Sequence, residues 1–575
     1  GEKEWGDSKA LPQLFIGGLG LFGCCTFFAK REITLRKKLA ATVVLLVLLL
    51  SFSIQGFDQI WHMGQRPVGF YFRNSWVANS FMLVLASESL MQWKDEFRLN
   101  EFLVAIFGFG SILVLSTLRS LQYVETSQKI LAFIIWTIIL LAFFFRRAER
   151  VRRLQLTAGV VIVELMVSSF VGFRRAPYFI GNAGLQEQME FAMAFDKEGY
   201  SHQSTFTRME MHKGLSHANF PIAFGYNGAS HFTSSLEHSL IEEMSHLGLP
   251  TSQSVANYTN RNVILDSLFG VSRFMMDGDE NRVFADLRGM YAKEGKVKDF
   301  VVYRNPYAFS LGYLTNENTA TNIAFEKNQP VANLNQLLQV IGLSGTNALT
   351  EVNVGEPVTT NLTKGQDKYT LTNEAEPAKI EWKFNLQPNK LYFVEIPERQ
   401  AGSVIKSQVM LNGIGYPYEN RFHENQLWMI GNGNLDQMLT FAIENAKVKE
   451  WDLRGFKFYS IDITTLANAL TQYKKVNDIT IDAYSNAMVK AHVTVTNSEQ
   501  SFATFTIPYH SGWSVTVDGK KQEVKKALGF FMGVSLTEGE HEIVWSYTPP
   551  GLYLGMFISI SSLLLLVFLW KKHKD

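Results

Sequence analysis

Cysteine is almost missing from this chain. Its 575 residues hold two, Cys24 and Cys25, side by side within one apolar run. Residues 174 to 550 therefore contain no thiol, which excludes a disulfide-stapled secreted framework of the animal kind and fits a bacterial setting. No Gly-rich phosphate loop opens a helix, and the basic residues cluster beside apolar runs rather than on a polar face, so no nucleic acid partner is expected. His202, His212, His217, His231, His238 and His246 fall close together, yet none has the paired His-acid or Cys spacing of a zinc site, so no metal is assigned. Gly1 to Ala10 lacks the basic start and short apolar core of a secretory signal. With no initial methionine, that stretch reads as an external loop of a longer polypeptide.

Apolar residues, by contrast, are plentiful and unevenly placed. They make up 47% of the chain at a mean hydropathy of +0.01, and they concentrate at the two ends. Runs long enough to cross a bilayer occupy about 11 to 29, 38 to 54, 75 to 93, 101 to 118, 130 to 145, 154 to 173 and 552 to 570. Lys30, Arg31, Arg36, Lys37 and Lys38 join the first two runs, and Arg146, Arg147, Arg150, Arg152 and Arg153 join the fifth and sixth. Lys571, Lys572 and Lys574 follow the last. If every run spans, all three clusters lie on one side, which places them in the cytoplasm and puts the long middle region outside it.

These patterns predict a membrane protein. The expected fold is an α-helical transmembrane bundle over 1–174, an extracytoplasmic α/β (or α+β) module over 175–345, and two β-sandwich domains over 346–465 and 466–550. Residues 551–575 complete it with a C-terminal transmembrane helix and a cytoplasmic basic tail. The first sandwich is read from alternation in Lys379 to Phe384 and Leu391 to Ile396. The second is read from Trp513 to Val517, turned by Asp518-Gly519 into Lys520 to Lys526, and from Phe531 to Leu536 pairing with Glu542 to Tyr547.

Ile507-Pro508-Tyr509-His510-Ser511-Gly512-Trp513, Val517-Asp518-Gly519-Lys520, Gly539-Glu540-His541 and Tyr547-Thr548-Pro549-Pro550-Gly551 run in that order into the terminal span. This series resembles the C-terminal signature of the bacterial YfhO-like membrane protein family. Tyr226 to Phe232, Leu265 to Val271, Tyr303 to Tyr307 and Arg66 to Arg73 resemble family segments too, so the likeness covers nearly the whole chain. Ser272-Arg273-Phe274 departs from it where Lys-Tyr is expected, and the family's N-terminal membrane half is absent. The resemblance implies a polytopic GT-C type glycosyltransferase that takes a sugar from a polyprenyl-phosphate donor. Its implied acceptor is a teichoic-acid-like polymer of the cell envelope, in the relatives lipoteichoic acid. It implies an acidic catalytic residue upstream of Gly1, no cofactor within these residues, and room for a divalent cation in the full-length enzyme.

Such a donor carries its charge at the headgroup, so a site needs cations at the outer membrane boundary and an acid near the acceptor hydroxyl. The loop from Gln55 to Ser75 offers Asp58, His62, Arg66 and Arg73, with Trp61, Tyr71 and Trp76 at interfacial depth. Asp58 is the catalytic candidate within the chain and Arg73 the first choice for phosphate. The same arginines serve equally as headgroup anchors, and the aromatics as an interfacial belt. Glu164 lies mid-run and must face protein or a cavity, as a bond between helices or as part of a substrate path. Tyr226, Asn227, His231 and Trp513 are the polar-aromatic types that stack on and bond to a sugar, although Asn227-Gly228 is also a plain turn and Trp513 a plausible core residue. Two rivals to sugar transfer follow: a flippase of lipid-linked sugars using the same helices, and a non-catalytic envelope scaffold.

Overall fold

A computed structural model of the chain describes residues 14–64, 72–92, 98–118, 126–144, 150–175, 182–212, 219–233, 236–251, 255–256, 258, 260–278, 284–365, 368–397, 407–418, 424–445, 450–452 and 454–572. The chain divides into two compact units, Gly1–Phe179 and Ile180–Asp575.

The first unit is helical. Its described elements are α1 (Gly17–Ala29), α2 (Leu35–Leu50), α3 (Gln55–Trp61), α4 (Ser75–Met91), α5 (Leu99–Leu118), α6 (Thr126–Phe144) and α7 (Arg150–Arg175). A helix thus stands at each of the first six apolar runs, but α1 is shorter than its run. It begins at Gly17, whose φ of 71° breaks the helical path. There the carboxylate of Glu164 on α7 accepts from the Gly18 N–H, at 2.8 Å to Oε1 and 2.9 Å to Oε2. A carboxylate at a helix N-terminus satisfies orphan donors and complements the helix dipole. Glu164 thus bonds α7 to α1, and it also lines an apolar cavity beside Phe15, Leu83 and Val161.

α1 touches α4, α5, α6 and α7 and forms the centre of the unit. Small residues permit this: a Cβ built on Gly23 would lie 2.9 Å from the Ala86 carbonyl oxygen, and one on Gly108 would lie 2.7 Å from Cys25 Sγ. Gly23→Val therefore pushes α4 away at a cost of about 1–3 kcal/mol, to be read as a lower unfolding midpoint in detergent. Three basic residues at the ends of these helices are paired: Lys30 with buried Glu101 of α5 at 3.3 Å, Lys37 with Glu88 of α4 at 2.8 Å, and Arg98 with Glu32 at 3.0 Å. Outward, the unit exposes Val43, Leu46, Val84, Phe107, Val114, Ile162, Met166 and Phe170.

The second unit is built mainly of sheets. Arg208–His212 pairs in parallel with Val271–Asp277, and Phe300–Arg304 and Ala292–Val297 complete a four-stranded sheet. Phe191 and Phe195 of the Asn182–Lys197 helix cover one face through Met209, Met211, Met275 and Val302. The other face, Phe274, Met276, Val301 and Tyr303, joins a larger core. That core continues between a five-stranded sheet containing Ala378–Asn385 and Met438–Asn445 and a four-stranded sheet containing Lys390–Ile396 and Lys457–Asp462. Trp382, Phe441 and Phe458 meet there, with ring centroids 5.4–5.8 Å apart.

A further pair of sheets shares a separate core of Phe505, Val515, Met532, Ile543 and Trp545. One is ordered Thr480–Ser485, Met488–Val495, Gly539–Tyr547, Trp513–Val517, Lys520–Gln522. The other is ordered Lys525–Ala527, Phe531–Ser535, Phe502–Pro508, Gly312–Thr315. Asp518 and Gly519, with φ of 52° and 75°, make the expected two-residue turn between Val517 and Lys520. The expected pairing of Phe531 to Leu536 with Glu542 to Tyr547 does not form. Those strands lie in opposite sheets, because Phe531–Ser535 pairs with Phe502–Pro508 while Gly539–Tyr547 pairs with Met488–Val495. Alternating residues of both strands face the shared core, and two strands that face each other across a core cannot also share a ladder.

The Leu552–Lys572 helix ends the described chain. Among the described residues it is the one helix long and apolar enough to cross a membrane, while Gly17–Ala29, Leu99–Ile112, Lys129–Leu141 and Gln155–Phe170 are shorter apolar stretches. Its 21 residues rise about 31 Å, close to the roughly 30 Å of bilayer hydrocarbon.

Candidate functional site

A cleft of about 420 Å³ opens in the second unit, lined by Tyr200, Gln203, Tyr226, Asn227, Arg273 and Tyr484, with His202 and Asn486 at its edge. Four separate pieces of chain meet here. Tyr200 to Thr207 leave the end of the Asn182–Lys197 helix; Tyr226 and Asn227 follow the Phe220–Phe224 helix; Arg273 stands on the Val271–Asp277 strand; Tyr484 and Asn486 sit at the Thr480–Ser485 hairpin.

Hydrogen bonds fix the walls. The Tyr484 hydroxyl donates to the Gln203 carbonyl oxygen at 2.7 Å, and the Asn227 amide donates to the Thr207 carbonyl oxygen at 3.1 Å. Gln203 Oε1 accepts from Thr207 Oγ1 at 2.8 Å and from Arg273 Nη1 at 3.2 Å. Arg273 also grips Glu294 in a two-pronged pair, Nε at 2.7 Å and Nη2 at 3.2 Å. Its charge is thereby balanced and its plane held in the wall.

Two backbone positions shape the rim. His202 and Gly225 have φ of 45° and 68°, and the His202 N–H donates to the Gly225 carbonyl oxygen at 2.7 Å. A Cβ on Gly225 would fall 2.6 Å from the imidazole, so only glycine lets the ring lie over this backbone. Gly295 likewise leaves space for the Tyr200 hydroxyl, 2.6 Å from where its Cβ would be. Burial, then the Glu210 charge, holds the Tyr226 phenol far above its usual range, and burial and Glu294 raise Tyr200. Both stay neutral hydroxyls at any physiological pH.

Beneath the cleft, buried Glu210 holds the turn that carries Tyr226 and Asn227. Its carboxylate accepts from the Ala229 N–H, from the Ser230 N–H at 3.0 Å and from the Ser230 hydroxyl at 2.9 Å. Burial pushes Glu210 up to about 7, against the pull of those bonds and with a further push from Asp266. A raised folded-state value means that the native state binds the proton more tightly than the unfolded chain. Glu210 therefore favours folding below the unfolded carboxyl range, and this contribution is lost as pH rises to 7, about 3 kcal/mol in all. Unfolding midpoints measured from pH 5 to 8 should fall, and Glu210→Gln should flatten that slope.

The other candidates lie elsewhere. Asp58 is fully buried on α3, its Oδ1 3.8 Å from Nε2 of His62 one turn on. Arg73 is exposed just before α4, and Arg66 and Tyr71 lie outside the described residues. His231 begins a short strand opposite Ala256, away from the cleft lining. Trp513 packs its ring 5.2 Å from that of Tyr547 at the end of its own sheet. So the structure unites Tyr226 with Asn227, and Asp58 with His62, and leaves His231 and Trp513 apart. Sequence reasoning missed Tyr200, His202, Gln203, Arg273, Tyr484 and Asn486. The one signal available was Ser272-Arg273-Phe274, the departure from the family pattern. Among the described residues no group of three or more His, Cys, Asp or Glu could hold a metal ion.

Comparison with known proteins bears on the whole chain. A stretch of 124 residues, 22% of this chain, is 30% identical to the uncharacterized protein YfhO of Bacillus subtilis (strain 168). It covers 14% of that protein's length. A crystal structure of a conserved protein of unknown function from Pseudomonas aeruginosa PAO1 aligns over 35% of this chain and 93% of its own, at 8% identity and a TM-score of 0.12. That overlap carries no argument about fold. The family described as bacterial membrane protein YfhO matches residues 3–559, which include every wall of the cleft and nearly all of the helical unit. With its signature residues running into an apolar terminal helix, the chain belongs to the YfhO family of bacterial membrane proteins.

Proposed function

We propose that this chain is part of a multi-pass GT-C type glycosyltransferase, which moves a sugar from a polyprenyl-phosphate donor onto a cell-envelope polymer of the lipoteichoic acid kind. In this reading the helices of residues 1–174 span the bilayer, the α+β module and two β-sandwiches stand outside the cytoplasm, and the cleft engages the glycan of the acceptor. The observation that carries it is the cleft lining. Tyrosine rings, side-chain amides and one neutralised guanidinium offer flat apolar faces beside fixed donors and acceptors, the combination a polyhydroxylated ring requires. Its volume falls within the roughly 300–1,000 Å³ usual for small-ligand sites.

The apolar residues exposed by α2, α4, α5 and α7 support membrane embedding, since a water-soluble unit rarely shows so much. Asp58 and His62, as a buried acid-imidazole pair, are the groups within this chain suited to accept a proton from an acceptor hydroxyl. Deleting the gene and analysing teichoic acid sugars tests the reading: the sugar decoration should vanish, and unchanged decoration would overturn it. A flippase of lipid-linked sugars predicts instead that alanine replacement of every external-loop acid, those upstream of Gly1 included, leaves activity intact.

A further inference from the structure

The cleft and the terminal helix meet at one end of the C-terminal sheets. The Thr480–Ser485 and Met488–Val495 strands turn at Asn486-Ala487, and Asn486 lines the cleft edge. The Tyr547 N–H donates to the Ala487 carbonyl oxygen at 2.9 Å, so this tip lies beside the last residue of the Gly539–Tyr547 strand. Thr548 then bonds back to Gly512 at 2.9 Å, and the Leu552 N–H donates to the Pro549 carbonyl oxygen at 3.2 Å, closing a tight turn into the helix. Two extended residues and one such turn span at most about 15 Å. The cleft therefore lies within about 15–20 Å of the start of the apolar terminal helix, counting one strand spacing.

The same end of the sheets carries aromatics. Trp513 and His510 pack on Tyr547 at 5.2 Å and 5.5 Å, and Tyr509 and Tyr553 are exposed. Tyrosine and tryptophan with one wet edge are the residues that settle at headgroup level. Charge points the same way as position. Arg273 is the one Lys or Arg among the described residues that line the cleft, and it is already paired with Glu294. A polyphosphate backbone would find no lining cation left over here; a neutral sugar needs none.

We infer that the cleft is a membrane-surface site for a neutral sugar headgroup carried on a bilayer lipid, rather than for the phosphate backbone of a distant polymer segment. This rests on the glycan reading of the cleft and narrows it to sugars next to a lipid anchor. Lipid attachment adds effective concentration, because the ligand and the site are held in one plane.

The test uses the full chain reconstituted in phosphatidylglycerol bilayers. A fluorophore on Ala487→Cys should be strongly quenched by a lipid bearing a headgroup nitroxide. One on Glu499→Cys, at the opposite end of the sheets and roughly 25 Å away along the strands, should be spared. Equal quenching at the two positions overturns the placement. In the same bilayers, a dihexosyl diacylglycerol should bind, with affinity about tenfold lower in Arg273→Ala and Asn486→Ala, and little changed by salt. Binding of a polyprenyl-phosphate hexose in its place would assign the cleft to the charged donor and overturn the neutral-headgroup inference. Binding of unglycosylated polyglycerol phosphate alone, weakened by salt, overturns the inference while leaving a polymer-binding role; binding of none of these overturns the glycan reading as well.

Discussion

Asp266→Ala is expected to destabilise the second unit by about 3–5 kcal/mol. Asp266 and Arg261 are both fully buried and ion-paired, the Tyr291 hydroxyl donates to Asp266 at 2.5 Å, and Arg261 Nη2 donates to that hydroxyl at 3.0 Å. The Arg261 guanidinium also lies over the rings of Phe274 and Tyr291, at 5.2 Å and 5.4 Å. Removing the carboxylate strands a cation in a sealed core, where the desolvation penalty is no longer offset by its partner. Replacing the pair together, as Arg261→Met with Asp266→Leu, should cost far less. Denaturant midpoints of the purified protein check both: a single variant as stable as the parent would mean that the pair is not buried in solution.

The second large effect falls on the cleft. Gly225→Val should abolish glycolipid binding while leaving most of the fold, because two penalties coincide at one exposed rim. The new side chain must adopt φ near 68°, which costs a β-branched residue about 1–3 kcal/mol, and its Cβ would lie 2.6 Å from the His202 ring. The imidazole must then swing away and take with it the wall that Gln203 and Tyr484 complete. Gly225→Ala should show an intermediate loss, and His202→Ala should restore part of the binding lost in Gly225→Val. Full binding by Gly225→Val would mean that the His202 wall does not contact the ligand.

Much of the architecture was legible because it is local. Apolar runs and their flanking charges mark helices over a few turns, and a helix stands at every one of the seven. Asp518-Gly519 marked its turn because the left-handed backbone there admits few residues. The pairing of Phe531 with Tyr547's strand was misread for the complementary reason: both strands alternate, and alternation cannot say whether two strands share a ladder or face each other across a core. Gly17 gave no warning that the helix starts there, since the carboxylate that accepts from the Gly18 N–H lies 146 residues on.

The cleft was legible only in part, on the same grounds. Tyr226 and Asn227 were visible as an adjacent aromatic-amide pair. Tyr484 approaches Gln203 across 281 residues of sequence, and nothing in either neighbourhood announces the other. Arg273 reads as an ordinary strand residue until Glu294 and Gln203 are placed beside it. Trp513 attracted attention by type alone; its ring packs on Tyr547 at the end of its own sheet, away from the cleft lining.

In the proposed function this cleft engages the envelope glycan. The most direct measurement is the sugar content of teichoic acid in the native bacterium when its sole gene copy carries Asn227→Ala together with Arg273→Ala. At equal protein abundance the decoration should fall by about tenfold or more, the loss of at least one good contact. Decoration at the parental level, with the protein present and folded, would contradict the account.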